Sequence, residues 1–545
     1  MNISKTIAII LLTILFSQFC VNLPVEACKD IVACGDATYG DYNLLLKVRD
    51  PSRPGLQVLS IVPKGYEYTY RHPWNGNPLS FVTLHKYIGV ATKNDTIPQI
   101  VKAGMTLTDA GLAFGDADTG SNWINPTRYA WDDFDWIRYA CEKADNSDQA
   151  VDLLTLDLVD TLHATGVSEN LFLVGPDSGF VIEADAYRYH ITEIKDGIAV
   201  MSNYPKQLWA SQVLKKIPIS PNFNTQKISY AGKGDFVTLN SFFKIHIKEV
   251  KNQSIIIGHI PWFKFVGFLN IKKIDNIEIG LGSLETIGDF SVELLEIDGN
   301  NAKIRICNRY KAWEDELLKH INPKLGEITI SDMINWSRLH KEDLNGLRPM
   351  CQDIFDYEAV TIYRIPNNNY NILGMGWFSP NHACASIYVP FHICITDIYD
   401  AYENGDAAAI SLDLLNLYGH ETLINYFERT GKVFLSELKV CEENCLNYLE
   451  NKSKISDFFT TVDGEMQKQA FLTEQLWFNL SKISNKTRKQ FISNIFGNIW
   501  ETNYSLTLNA MNNSISLLKQ LPETEVFIQD IELIMLSIAK IQKIK

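Results

Sequence analysis

A cysteine stands directly after a segment that has the features of an export signal. Lys5 gives a short positive region, residues 6–21 are mostly apolar, and residues 25–27 place small side chains at positions −3 and −1 of a cleavage site. Cutting there would leave Cys28 with a free α-amine beside its thiol. A thiol with a pKa of ~8.5 needs a base before it attacks an amide, and an α-amine with a pKa of about 7.7–8.0 can be that base. Cys28 can therefore supply both nucleophile and base.

Two other interpretations of this segment stay open at the level of sequence. One is an uncleaved membrane anchor, although the apolar run is short for a span of about 20 residues. The other is a lipobox, with a lipid on the Cys28 thiol, although Glu26 departs from the small residues of such boxes. We favour the free α-amine because of the residues that follow Cys28. The mature protein is then expected to be secreted or extracytoplasmic, with no stable membrane span.

Composition limits the classes of partner and cofactor. The 545 residues are 46% hydrophobic, which is typical of a folded protein, and their net charge is −14, which disfavours nucleic acid as a partner. The ten cysteines include no CxxC pair, and no cluster of histidines stands near them in the sequence, so we predict no metal and no cofactor. The oligomeric state stays open, a homo-oligomer included.

The chain divides into five parts by its pattern of apolar and polar residues. Short strands and two helices give way to an alternating, Lys- and Ile-rich region, strands then return, and the C-terminal part is polar and helical. The predicted parts are a signal peptide at 1–27, a core at 28–215, an inserted β-rich domain at 216–309, the rest of the core at 310–396, and a helical region at 397–545.

The N-terminal segment of the mature chain resembles the start of a known group of enzymes. The sequences CKDIVACGDAT at 28–38 and KVRD at 47–50 are similar to those of the N-terminal-nucleophile (Ntn) cysteine hydrolases, which include the C69 dipeptidases, the choloylglycine hydrolase and penicillin V acylase group, and the isopenicillin N type acyltransferases. Further landmarks over 28–210 and 338–395 are AGLAFGD at 110–116, NLF at 170–172, SNYP at 202–205, LRPMC at 347–351 and SIYVP at 386–390.

The resemblance implies a fold and an activity. The fold would be α+β, a four-layer αββα sandwich interrupted by the small all-β insertion. The activity would be that of an exported cysteine amidohydrolase acting on a small amide, such as a dipeptide or an N-acyl amino acid, through a thioester. Two alternatives are an acyltransferase that passes the acyl group to an amine, and a lipid-anchored binding protein that keeps the fold without catalysis.

The resemblance also implies catalytic residues besides Cys28. Asp50 would orient the Cys28 amine, and Asn203 would donate to the oxyanion or to the substrate carbonyl. Lys47 stands where the family usually has arginine, and its ammonium cannot make the planar fork of that residue. Either Lys47 performs the task, or Arg49, which lies two residues further on the same strand face, takes part.

Three more residues are candidates for binding substrate. Asp116 and Asp118 could hold a substrate amine, or they could simply begin the loop that follows their strand. Arg348 could bind a substrate carboxylate through two hydrogen bonds, or it could pair locally with Asp343 or Asp353.

Overall fold

The computed structural model describes most of the chain up to residue 418. The described residues are 28–49, 55–94, 103–208, 222–239, 244–259, 276–288, 290–351 and 357–418, together with scattered helical positions between 435 and 471. The signal peptide predicted at 1–27, the candidate Asp50 and most of the predicted C-terminal helical region lie outside the described residues.

Two antiparallel sheets form the main body. The six-stranded sheet has the order β12-β1-β2-β21-β22-β23 and the seven-stranded sheet the order β11-β10-β9-β8-β7-β6-β3, while β4 and β5 form a separate hairpin. The strands are β1 Lys29–Cys34, β2 Tyr42–Arg49, β3 Gln57–Val62, β4 Glu67–Arg71, β5 Pro78–Val82, β6 Tyr87–Thr92, β7 Met105–Thr108, β8 Ala113–Thr119, β9 Ser168–Val174, β10 Gly179–Ala184, β11 Tyr189–Ile194, β12 Gly197–Ser202, β21 Ala359–Pro366, β22 Met375–Ser379 and β23 Val389–His392.

β1 and β2 of the six-stranded sheet are buried on both faces, as expected for a sheet covered on both sides. One apolar cluster contains Val32 of β1 and Leu45 of β2 together with Ala117 of β8 and Phe172 of β9, so the two sheets share a core. Each of these four side chains is fully buried. This shared core brings the N-terminal strand β1 against the middle of the seven-stranded sheet.

Helices pack against the outer side of each sheet. The first, α1, begins after a capping box in which the Asp132 carboxylate accepts a hydrogen bond from the Asp135 N–H at 3.0 Å. Trp136 of α1 shares a cluster with Phe114 of β8, and Trp313 shares one with the six-stranded sheet. The helices are α1 Asp133–Cys141, α2 Ser147–Asp152 with a π-helical continuation Leu153–Thr161, α3 Arg309–Ile321, α4 Ile330–Ser337, α5 Tyr370–Leu373, α6 Asp400–Glu403 and α7 Asp406–Tyr418. The fold is therefore α+β with antiparallel sheets.

A separate set of strands lies between the two parts of the main body. These strands form two four-stranded antiparallel sheets, β13-β20-β19-β18 and β14-β15-β16-β17, around a cluster that includes Ile245, Ile257, Val292 and Ile304. They are β13 Gln226–Gly232, β14 Phe236–Thr238, β15 Lys244–Val250, β16 Ser254–His259, β17 Ile277–Gly280, β18 Leu284–Ile287, β19 Phe290–Asp298 and β20 Asn301–Asn308.

The apolar run at 79–87, which predicts one strand, is divided in the structure. β5 ends at Val82 and β6 begins at Tyr87. Between them the N–H groups of Leu84 and His85 both donate to the main-chain oxygen of Glu142, at 2.7 and 3.2 Å, and this contact draws the chain out of the strand. Among the described residues, no helix has the length and apolar character required to cross a membrane.

Candidate active site

Cys28 lies directly before β1 and is buried, with 6% of its surface exposed. β1 pairs with β2 on one side and with β12 on the other, where Lys29 is opposite Ser202. The Ser202 hydroxyl donates a hydrogen bond to the main-chain oxygen of Cys28 at 2.9 Å. The position of Cys28 is therefore determined by a three-strand arrangement and by one side-chain contact from its neighbour.

Lys47 of β2 is the basic residue beside Cys28. Its register partner on β1 is Asp30, and its Nζ lies 3.7 Å from Asp30 Oδ2 and 3.4 Å from Asp116 Oδ1. Nζ also donates to the main-chain oxygen of Asp116. A Cβ placed on Gly115 would lie 3.4 Å from Asp30 Oδ1 and 3.5 Å from Lys47 Cδ, so this pair packs directly over β8.

Burial and charge act in opposite directions on these groups. Burial, opposed by Lys47 and reinforced by Asp116 and Asp30, raises the pKa of the Cys28 thiol to about 11. Burial alone would lower the pKa of Lys47, but Asp30, Cys28 and Asp116 outweigh it and the pKa is raised. Burial also raises the pKa of Asp30 well above its ordinary value, against the effect of Lys47. At neutral pH the lysine is therefore charged and the thiol needs a base.

Further carboxyl groups surround this site. Asp118 of β8 is opposite Glu169 of β9, and Asp133 is the first residue of α1. Burial, followed by Asp118, raises the pKa of Glu169, and burial, followed by Asp116, raises the pKa of Asp133. The amino end of α1 favours negative charge, which partly offsets the cost of gathering these acids. We call Asp116, Asp118, Asp133 and Glu169 the acidic cluster.

The turn after β12 carries the candidate oxyanion donor. Asn203 Nδ2 donates to the main-chain oxygen of Asp118 at 2.8 Å, and its Oδ1 accepts from Arg348 Nη1 at 3.2 Å. The same Nη1 donates to Ser202 Oγ at 3.1 Å. Asn170 of β9 fixes the turn, since its Nδ2 donates to the main-chain oxygen of Ser202 at 2.7 Å. A chain of contacts thus connects Arg348 through Ser202 to Cys28.

The candidate residues separate into two groups by position. The structure brings together Cys28, Lys47, Asp116, Asp118, Asn203 and Arg348. Arg49 is elsewhere, because its guanidinium donates to Gln57 and to Thr92 Oγ1, the latter at 3.1 Å, and lies 4.4 Å from the centre of the Phe134 ring. The contacts favour Lys47 over Arg49 as the basic residue beside the thiol, and the roles of all these residues stay predictions.

Sequence reasoning missed Asp133 of the acidic cluster and three further residues of this site. Asp30 is two residues from Cys28 on the same strand face, so the period of a strand could have found it. Ser202 lies inside the quoted SNYP segment, and its position directly before Asn203 was the available signal. Glu169 becomes part of the site only through its pairing with Asp118, which no single sequence reveals.

Two groups that could bind a metal are formed by residues other than Cys28. Within the described residues, one such group is His340, Cys351 and Cys384, and a second is Cys351, Glu358 and His382. The seven cysteines of the described residues are all free of disulfide bonds.

A cavity of about 560 Å³ lies near the other end of β2, bordered by Tyr42, Arg364 and Trp377. Cys28 does not line it.

Comparison with known proteins gives distant structural matches. No family model matches the sequence, and no curated protein matches it. The penicillin V acylase from Agrobacterium tumefaciens is matched at 14% identity and a TM-score of 0.25, over 35% of this chain and 58% of that one. Two variants of the conjugated bile acid hydrolase from Clostridium perfringens are matched at 10% identity, with TM-scores of 0.34 and 0.32, over 67% and 65% of this chain and 92% and 89% of theirs.

These solved structures are Ntn hydrolases of the choloylglycine hydrolase type, the group that the sequence resembles. At such low identities and TM-scores the matches carry no conclusion about the activity of this chain. We therefore derive its function from the residues around Cys28.

Proposed function

We propose that this chain is an exported cysteine amidohydrolase, built as a four-layer αββα Ntn hydrolase, whose mature N-terminal Cys28 cleaves a small amide. The observation that carries the proposal is the environment of the thiol. A buried cysteine lies beside a charged Lys47, and Lys47 is itself held by the carboxylates of Asp30 and Asp116. A lysine in this position stabilises a thiolate when the thiol loses its proton.

The proposed reaction uses two groups of the same residue. The freed α-amine of Cys28 takes the proton of the thiol, directly or through a water, and the sulfur attacks the amide carbon. The tetrahedral oxyanion then collapses, the amine returns the proton to the departing nitrogen, and a thioester remains. Water, activated by the same α-amine, hydrolyses the thioester and releases the acid. Each fixed donor to the oxyanion is worth about 2.7–4 kcal/mol, and Asn203 is the proposed side-chain donor.

The charges near Cys28 favour one kind of substrate. The acidic cluster would attract an ammonium group, and Arg348, whose Nη1 already contacts Ser202 and Asn203, would attract a carboxylate. A dipeptide carries both groups, whereas an N-acyl amino acid carries only the carboxylate. We therefore place dipeptides ahead of N-acyl amino acids as substrates, with transfer of the acyl group to an amine as the alternative to hydrolysis.

The first test is the mass of the mature N-terminus combined with a nucleophile variant. A chain that begins with an unmodified Cys28 supports the proposal, while a diacylglyceryl adduct on the thiol would identify the lipid-anchored alternative. Cys28→Ser should lower the turnover of a dipeptide panel at least about tenfold, because serine is the weaker nucleophile in the same place. Its melting temperature should stay within a few degrees of the parent chain.

A retained initiator residue gives the matching control. A chain that begins Met-Cys28 with the methionine in place keeps the thiol and lacks its α-amine. It should be inactive until an aminopeptidase removes the methionine. Full activity before trimming would show that the α-amine is not the base.

A further inference from the structure

We propose that His340, Cys351 and Cys384 bind one zinc ion, beside the buried pair of Glu358 and His382. One ligand atom from each of His340, Cys351 and Cys384 lies within 4.8 Å of the other two. The second group, Cys351, Glu358 and His382, shares Cys351 and meets the same limit among its own members. Two thiolates and one imidazole are a known set of three protein ligands for zinc, which leaves the fourth position open.

The two sulfur atoms are close enough to bind the same ion. Those of Cys351 and Cys384 are 3.2 Å apart, and binding one zinc with bonds of about 2.3 Å would move them to a separation of about 3.8 Å. Beside them, His382 Nδ1 lies 3.4 Å from Glu358 Oε2, and this pair is the polar neighbour of Cys351.

Burial and charge also favour a metal. Cys351, Cys384, Glu358 and His382 are all fully buried, and only His340 reaches the surface in part. Two thiolates would cancel the two positive charges of the ion, so the ligated cluster adds no net charge to the interior.

Three separate segments form this site, and backbone contacts bring them together. The N–H groups of Met350 and Cys351 both donate to the main-chain oxygen of Leu339, at 2.8 and 3.1 Å. Arg338 Nε donates to the main-chain oxygen of Ala383 at 2.9 Å. His340 and Cys351 are 11 residues apart and Cys351 and Cys384 are 33 apart, so the prediction of no metal, which rested on the missing CxxC pair and histidine cluster, had no short spacing motif to detect them.

The zinc ion would act on the candidate active site through a short loop. Arg348 contacts Ser202 and Asn203, and it stands three residues before Cys351. Lys29, the neighbour of Cys28, donates through Nζ to the main-chain oxygen of Met350 at 3.3 Å. A metal bound at Cys351 would hold this loop in place, so we assign the zinc a structural and positioning role.

The test is metal content, measured on the untagged full-length chain and its mature form. Elemental analysis after dialysis should give about one zinc per chain. The double variant Cys351→Ser, Cys384→Ser should lose the zinc, and Cys141→Ser, which changes a cysteine that is equally buried in another cluster, should keep it. Zinc that persists in the double variant would overturn the assignment.

A second measurement applies even if the double variant does not fold. Cobalt exchanged into the parent chain should give a thiolate-to-cobalt charge-transfer band, and a mercurial should release the metal in step with the titration of two thiols. Peptide mapping of the unreduced chain provides the opposing outcome. A Cys351 to Cys384 disulfide without bound zinc would disprove the proposal and leave the hydrolase proposal untouched.

Discussion

Two buried cations of this protein each lie between two carboxylates, one beside the candidate nucleophile and one between the six-stranded sheet and the C-terminal segment. At the first, Lys47 lies 3.7 Å from Asp30 and 3.4 Å from Asp116. Asp118 is near enough to raise the pKa of the Cys28 thiol further. Acids therefore outnumber bases around the thiol.

The second site is balanced. His392 on β23 has Nδ1 at 2.9 Å from Asp463 Oδ2 and Nε2 at 2.9 Å from Glu442 Oε1, and Glu442 also pairs with Arg364. The His392 ring stacks on Phe459 at 4.0 Å between ring centres. Two bases thus face two acids, and the contacts of the imidazole are complete on both nitrogens and on one face.

The difference separates a structural cluster from a functional one. A buried cluster with equal numbers of acids and bases does not attract a further charge. The free energy lost by taking its charged groups out of water is offset by the hydrogen bonds within the cluster. The Cys28 region has an excess of carboxylates that a further cation would offset. Cleavage before Cys28 would supply one such cation as the α-ammonium, and a dipeptide would supply another.

The largest effect is expected from removing the cation at the unbalanced site. Lys47→Met should raise the pKa of the Cys28 thiol and lower turnover at least about tenfold, since each unit of pKa shift corresponds to about 1.4 kcal/mol. The rate at which iodoacetamide alkylates Cys28 at each pH, followed by mass spectrometry, measures the fraction of Cys28 that is present as thiolate. Lys47→Arg keeps the charge and should retain more activity than Lys47→Met.

Stability has to be separated from reactivity in this experiment. Lys47→Met leaves Asp30 buried without its cation, and breaking a buried pair costs about 3–5 kcal/mol. The double variant Lys47→Met, Asp30→Asn removes both charges, so it should recover stability while the thiol stays unreactive. If the double variant also recovered alkylation at neutral pH, the charge of Lys47 would not be what makes the Cys28 thiol reactive.

A smaller effect is expected from reducing the excess of acids. Asp118 raises the pKa of the thiol, so Asp118→Asn should move the alkylation profile of Cys28 to lower pH, by less than about one unit. Asp148→Asn, at an exposed position of α2, removes the same charge far from the thiol and should leave the profile unchanged. Equal shifts in the two variants would mean that net charge alone, and no local excess, controls the thiol.

The sequence predicted the parts of the site that local patterns encode. The cleavage motif pointed to Cys28, and the short apolar run at 43–48 predicted the strand that carries Lys47. Asp30 was missed because its role depends on being opposite Lys47, and register between two strands is set by packing of the whole sheet. The segment KVRD at 47–50, in which a basic residue stands three positions before an aspartate, also predicted a role for Asp50, which lies outside the described residues.

The acidic cluster was missed in part for the same reason. Asp118 could be chosen from its strand, but Glu169 joins it from β9 and Asp133 from the start of α1. Both depend on contacts between segments that are distant in sequence. The C-terminal contribution to the His392 cluster, from Glu442 and Asp463, was beyond any local pattern as well.

The balanced cluster should appear in the pH dependence of stability. Burial lowers the pKa of His392, but Asp463 and Glu442 outweigh it and raise the pKa to about 9, against about 6.5 in the unfolded chain. The stabilisation is therefore fully present below about pH 6.5 and is lost as the pH rises through about 9. Its upper limit is of the order of 3 kcal/mol.

His392→Gln tests this contribution without removing every hydrogen bond. Denaturant unfolding between pH 6 and pH 9.5 should show a steep loss of stability in the parent chain and a flatter one in the variant. Buried thiols also lose stability above about pH 8.5, so the informative quantity is the difference between the two slopes. His190→Gln, at an exposed position of β11, should keep the parental slope. Equal slopes in all three chains would show that the charge of His392 does not stabilise the fold. The balanced cluster could then no longer be called structural in contrast to the cluster around Cys28.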